Sequence, residues 1–154
     1  GMDIITNRIR FMNKALGCNI IFLDHISILV SGLTGKVTDE RRLVDDIVTH
    51  LRTVVVQELG ISLFVVSHLK RPMSEAGHEG GAKVQLSQLR SSHSIAQLSD
   101  FCIGLQVDAE EPTSGRRELV LLKNRFTGEC GFAGSLKYNR DTGRLIDTDE
   151  DCPF

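Results

Sequence analysis

The sequence predicts an α/β fold: a mostly parallel sheet flanked by helices, followed by a C-terminal antiparallel hairpin. Residues 19–23 and 61–66 are continuous apolar runs, as strands buried on both faces require. A pattern of helical period lies between them, which completes the strand–helix–strand unit of a parallel sheet. Near the end, Asn139-Arg-Asp-Thr-Gly143 separates two short strand-like runs with the Asp/Gly chemistry of a hairpin turn.

Each element has its own signal. Ile5, Ile9, Met12 and Leu16 recur at helical spacing among Arg8, Arg10 and Lys14, and Gly17 ends this amphipathic helix. After the first apolar strand, residues 31–38 are rich in Gly, Ser and Thr and read as a loop. A second helix starts at Asp39-Glu-Arg-Arg42, carries Leu43, Ile47, Leu51, Val54 and Val55 on one face, and stops at Gly60. Residues 70–88 are polar and aperiodic, hence a loop, and a loop this long inside a domain is usually functional or disordered. A short helix at 94–99 precedes strands at 101–107 and 118–122, and the hairpin joins 132–138 to 144–146.

Bulk composition narrows the classes. The chain has 154 residues, enough for one domain, with 41% hydrophobic and 25% charged residues, ordinary for a globular protein. No apolar run reaches the length of a bilayer span, and the N-terminus lacks a signal-peptide pattern. Gly1 ahead of Met2 reads as a remnant of tag removal. A net charge of −2 excludes a protein that coats a duplex phosphate by phosphate, so any nucleic acid must be held by a few local cations. Cys18, Cys102, Cys130 and Cys152 form no C-x-x-C pair, which argues against zinc or a disulfide framework. Cys18 and Cys102 adjoin apolar runs and are expected to be buried thiols of a reducing compartment.

Three features carry chemistry. Ile20-Ile-Phe-Leu-Asp24 places a carboxylate at the carboxyl end of a parallel strand, where open α/β sheets bind ligands. Asp24 suits either the water shell of Mg²⁺ or the capping of the next turn. Ser67-His68 ends the next apolar strand in the same way, so one sheet edge receives Asp24 and His68; a strand-end His is more often structural than functional. Leu119-Val-Leu-Leu-Lys-Asn-Arg125 puts Lys123 and Arg125 on one side of an extended chain, either as solvated cations or as groups that stabilise phosphoryl-transfer charge. Gly32-Leu-Thr-Gly-Lys36 is a decoy: Val30 stands where the first Gly of G-x-x-x-x-G-K-S/T belongs, and Val37 replaces the hydroxyl residue. The 154 residues contain no phosphate loop.

Five segments in order resemble the helicase domain of phage primase-helicases and Twinkle, within the DnaB-like family of replicative ring helicases. They are Ile21-Phe-Leu-Asp-His-Ile-Ser-Ile28, Val66-Ser-His-Leu-Lys70, Leu89-Arg-Ser-Ser92, Gln97-Leu-Ser-Asp100, and Lys123-Asn-Arg-Phe-Thr-Gly128 with Gly131 and Gly134. The resemblance implies that residues 1–146 are an incomplete RecA-like ATPase core and 147–154 an acidic tail. It implies Asp24 as the Walker B acid that organises Mg²⁺, and His68 or Gln97 as sensor of the terminal phosphate. Arg125 corresponds to an arginine finger reaching the next subunit's ATP, with Lys123 as its companion. Lys70 and Arg71, at the start of the long loop, would touch single-stranded DNA. The tail, tipped by Phe154, would dock on DNA polymerase or primase, or remain a solvated terminus.

The implied protein is a cytoplasmic, hexameric ring that uses ATP and Mg²⁺ to move on single-stranded DNA and unwind duplex. Without the phosphate loop and the catalytic glutamate of relatives, this chain is expected to be inactive as an ATPase by itself, truncation being the simplest cause. Leu89-Arg-Ser-Ser-His93 also departs from a Gly-Ser-Gly pattern of relatives, and residues 73–76 add no further cation to the DNA loop. Two alternatives stand beside the motor: a RecA-type recombinase or regulator, and a non-catalytic assembly module left from such a core.

Overall fold

The structure, a computed structural model, describes residues 2–33, 39–69, 82–89, 93–110 and 113–148. The chain divides into two compact units, the first formed by residues 1–69 and 89–98 and the second by residues 70–88 and 99–154.

The first unit is the strand–helix–strand part. Helix α1 (Met2–Leu16) buries Ile9 and ends before Gly17, whose φ of +69° reverses the chain at little steric cost. Strand β1 (Ile20–Leu23) pairs in parallel with β2 (Ser62–Val65), Ile20 opposite Ser62 and Leu23 opposite Val65. Between them run α2 (Ile26–Leu33) and α3 (Glu40–His50). Asp39 caps α3 by accepting from the amides of Arg41 and Arg42 at 3.1 and 3.2 Å, satisfying donors a helix start leaves open. The same helix continues through Leu51–Glu58 with wider π-type turns, and Leu59 N donates to Val54 O at 3.2 Å. Helix α4 (His93–Leu98) packs against α3.

The core of this unit gathers Ile9, Ile21, Ile26, Val30, Val44, Ile47, Leu51, Val55, Ile61 and Ile95. Helix α2 departs from the expected loop at 31–38: residues 31–33 are its last turn, and 34–38 lie outside the described residues. Ile26 and Val30, one turn apart, are buried in the core with Ile47, Leu51 and Val55, and this packing selects a helix in a segment, Ile26-Ser-Ile-Leu-Val30, that fits a strand equally well. Thr6 Oγ1 donates to Met2 O at 2.9 Å, which leaves it to accept from His50 Nε2 at 2.9 Å and ties α1 to α3.

Among the described residues, the two faces of the β1–β2 pair differ in burial. Ile21 is buried and Leu63 half-buried, whereas Phe22 and Phe64 on the other face are 72% and 50% exposed, with rings stacked at 4.8 Å.

The second unit is an antiparallel sheet in the order β3 (Phe101–Val107), β4 (Arg116–Asn124), β5 (Gly131–Asn139), β6 (Arg144–Asp147). The expected hairpin is β5–β6, with Asn139 opposite Arg144 and Gly143 at φ +67°. The antiparallel part extends beyond it to β3 and β4, so the parallel pair contributes fewer of the described strands than the sequence led one to expect. The physical reason is connection length: the eight residues from 108 to 115 and the six from 125 to 130 cannot hold a crossover helix. Gly104 faces Val84 and Leu122, whose side-chain atoms would lie 3.0 and 3.1 Å from any added Cβ, so the 82–88 segment lies directly on β3. Val84 N donates to Gln106 Oε1 at 3.0 Å, and Gln106 Nε2 donates to Glu118 Oε2 at 2.8 Å.

The cysteines differ from expectation in degree. Cys18 and Cys102 are half-buried rather than fully enclosed, because each flanks a strand end, and Cys130 is exposed. Cys152 lies outside the described residues.

Candidate functional site: a strand-end rim and a cationic corner

In the first unit the parallel register puts the carboxyl ends of β1 and β2 side by side. Val66 N donates to Leu23 O at 2.9 Å and Ile26 N to Val66 O at 3.0 Å, so the chain stays zipped past both strands. Asp24 and His68 emerge at this rim and are exposed. Asp24 is followed by a cis peptide bond to His25. Among the described residues no hydrogen bond or ion pair engages the Asp24 carboxylate, so its lone pairs are open to water. The turn-capping role left open by the sequence therefore has no bond to support it.

His25, which sequence reasoning missed, is half-buried and meets the His68 ring edge-on, with centroids 4.4 Å apart and planes at 68°. Its Nδ1 is buried without a hydrogen-bond partner. The signal was in the sequence, as the residue directly after a strand-end Asp, but no spacing rule connects it to a histidine 43 positions later. Gln97 stands exposed on α4 in the same unit.

The second unit holds the cationic corner. Lys123 lies near the end of β4 opposite Cys102, and its Nζ donates to Ser99 O at 2.8 Å. Arg125 lies just beyond β4 rather than within it; its N donates to Asp100 O at 2.9 Å, and its Nη1 sits 3.3 Å from Asp100 Oδ1. Both cations thus reach the Ser99–Asp100 step. The Arg125 side chain remains 39% exposed.

The turn that presents Arg125 is built by Asn124. Its Oδ1 accepts from the amides of Phe126 and Thr127 at 3.0 and 3.3 Å, and its Nδ2 donates to Thr127 Oγ1 at 2.7 Å. Gly128 closes the turn with φ +76° and donates to Asn124 O at 2.9 Å. In Lys123-Asn-Arg-Phe-Thr-Gly128, then, Asn124, Thr127 and Gly128 shape the backbone, with Lys123 half-buried against the Ser99 carbonyl and Arg125 exposed beside Asp100. Burial pushes the Cys102 thiol above its ordinary value, opposed by a hydrogen bond with Ser99 and by the Lys123 charge.

Lys70, Arg71 and Phe154 lie outside the described residues. Among the described residues no group of three or more His, Cys, Asp or Glu side chains could cage a metal. A single exposed carboxylate is still the donor type Mg²⁺ takes, since that ion keeps most of its waters and shares its remaining sites with phosphates.

The profile of the DnaB-like helicase C terminal domain matches residues 2–146, nearly the whole chain. The chain belongs to this family. It is 39% identical over 143 residues to a DNA helicase/primase of Enterobacteria phage T3, an alignment that takes in 93% of this chain and 25% of the phage protein. It also superposes on an ATPase domain of known structure with a TM-score of 0.71 and 21% identity, over 96% of this chain and 51% of that one. The DnaB-like chain therefore spans a quarter of one relative and half of the other, and the likeness to the solved domain fixes the α/β fold. Among the described residues no helix is long and apolar enough to cross a membrane.

Proposed function

We propose that this chain is the C-terminal part of a replicative DNA helicase motor that couples ATP hydrolysis to movement on a single strand and to duplex unwinding. The family match over residues 2–146 carries the reading, and the exposed Asp24 and Arg125 support it. Residues 1–146 form one partial RecA-like core, and 147–154 form an acidic tail whose Phe154 docks on a polymerase or primase.

Asp24 would hold the magnesium of a bound nucleotide from the strand end, and His68 or Gln97 would sense the terminal phosphate. When bound, the ion neutralises charge on the phosphates during transfer. Arg125 serves the nucleotide of the adjoining protomer in a ring, a hexamer in the whole protein. Its planar guanidinium can exchange Asp100 for a phosphate without changing protonation state, and Lys123 holds the local backbone. Lys70 and Arg71 contact the strand. The chain by itself does not hydrolyse ATP, since its sequence has no phosphate loop.

Magnesium-dependent hydrolysis by the 154-residue chain would overturn the last statement. In a longer protein with the phosphate loop, mixing Arg125→Ala subunits with Asp24→Ala subunits should restore turnover that neither has alone. If mixing restores nothing, Arg125 does not act across the interface.

A further inference from the structure

Backbone pairing delivers His68 to the rim of the first unit but does not fix its ring. His68 lies three residues past the end of β2, outside any regular element, and is exposed. Among the described residues its side chain makes no hydrogen bond or ion pair, and the ring it meets is that of His25.

His25, by contrast, is anchored on both sides. Its carbonyl accepts from Ile28 N at 3.1 Å as the chain enters α2, and the next amide, Ile26 N, donates to Val66 O at 3.0 Å. The Ile26 side chain is sunk in the core at 3% exposure. A backbone held this way leaves His25 only its side-chain torsions, and its ring is half-buried. The Ile26–Val66 bond also ties the exit of β1 to that of β2, so both histidines ride on one bonded patch.

The seat of the His25 ring points the same way. Its Nδ1 is buried and has no hydrogen-bond partner, although a buried polar atom is normally paired. A histidine placed for its own bonds would use that nitrogen; here the bond is forgone and the contact with His68 is kept. The rings meet with centroids 4.4 Å apart and planes at 68°, the edge-on arrangement that aromatic rings favour. Such a contact depends on angle as well as distance, so it restrains the plane of the His68 ring.

We propose that His25 is a positioning residue for His68, fixing the plane and reach of that imidazole at the strand-end rim. The inference rests on the reading in which His68 senses the terminal phosphate, and it names the group that aims the sensor. A ring that must bring one nitrogen to a phosphate oxygen gains from preset orientation, because small misplacements near a reacting group are costly.

The first test uses the carbon-bound ring proton signals of His68 in the 154-residue chain, assigned by their loss in His68→Gln. They should move toward the values of an unstructured histidine in His25→Ala and stay displaced in His25→Phe, which keeps a ring at that place. Unmoved signals in His25→Ala overturn the proposal. The second test uses a longer protein with the phosphate loop. There His25→Ala should lower ATP turnover about tenfold with KM within about twofold, and His25→Phe should recover most of the loss. Adding His25→Ala to His68→Ala should cost no further turnover, as residues acting through one contact require. A merely structural His25 would subtract from turnover in both backgrounds, and that result overturns the proposal, as does a His25→Phe no better than His25→Ala. If His68→Ala loses turnover and His25→Ala does not, the proposal falls and the sensor reading stands. If His68→Ala turns over like the wild type, the sensor reading falls and the proposal with it.

Discussion

The rim of the first unit and the corner of the second are held in opposite ways. At the rim, Asp24 and His68 are placed by backbone pairing alone: two apolar strands in register, joined past their ends by the Leu23, Ile26 and Val66 bonds. Among the described residues their side chains make no hydrogen bond or ion pair, and His68 meets the His25 ring edge-on. At the corner, Lys123 is bonded to Ser99, Arg125 to Asp100, and the intervening turn is wired through Asn124. A group that meets its ligand through water tolerates loose placement, whereas a guanidinium that must present a fork to phosphate gains from a preset orientation. The rim thus consists of exposed groups set on hydrophobic packing, and the corner is a polar network; under the proposed roles, that network aims Arg125.

The sharpest way to break this comparison is Arg125→Ala in a longer protein carrying the phosphate loop. ATP turnover should fall about a thousandfold, the lower end of what such arginines supply. In the 154-residue chain the same change should move urea stability by no more than about 1 kcal/mol, because an exposed ion pair contributes little. A large stability loss without a turnover effect would make Arg125 a structural residue. Asn124→Ala comes next. It removes an acceptor shared by two amides and should cost about 1–2 kcal/mol, of the size lost when a helix cap is deleted, read as a lower urea midpoint.

A smaller effect is expected at the junction of the two cations. Lys123→Met removes a positive charge that lowers the Cys102 pKa, so the thiol should rise further and alkylate more slowly at pH 8.5, with Cys130 as internal control. Because burial already favours the neutral thiol, its contribution to stability is complete below the ordinary thiol range and lost as pH climbs through the raised value. Faster alkylation in Lys123→Met would reverse that assignment. Smallest of all is Asp24→Asn, which should leave the thermal midpoint within the shift given by about 0.5 kcal/mol, as for a surface change away from structural bonds. A drop of several degrees would mean that the carboxylate holds the fold together and that the rim resembles the corner after all.

Much of the fold was legible because its signals are local or periodic. The β1 and β2 runs, the α3 face with Asp39 at its head, and the Asn139–Gly143 turn each state their structure within a dozen residues. Helix α2 was not legible, since Ile26-Ser-Ile-Leu-Val30 satisfies strand and helix patterns alike and only contact with the Ile47–Val55 layer decides. The antiparallel partners of β3 and β4 follow from connection lengths, which could have been counted. At the candidate site, Asp24, His68, Lys123 and Arg125 stood out because charge at the end of an apolar run is conspicuous. The groups that orient them did not: the Asp100 carboxylate, the Ser99 backbone carbonyl and the His25 ring act across pairs distant in sequence, and Asn124 looked like one more polar residue in a motif. Spacing reveals what protrudes from an element more readily than what steadies it.

Phe22 and Phe64 have a consequence of their own. Two stacked rings left largely in water add little to the cohesion of these 154 residues, so polar replacements there should leave unfolding almost unchanged. The same rings make a greasy plate, flanked by exposed Ile20 and Val66, of the kind that drives molecules together as concentration rises. Phe64→Ser is therefore expected to lower self-association of this chain, read by light scattering across a concentration series, with little change in its unfolding.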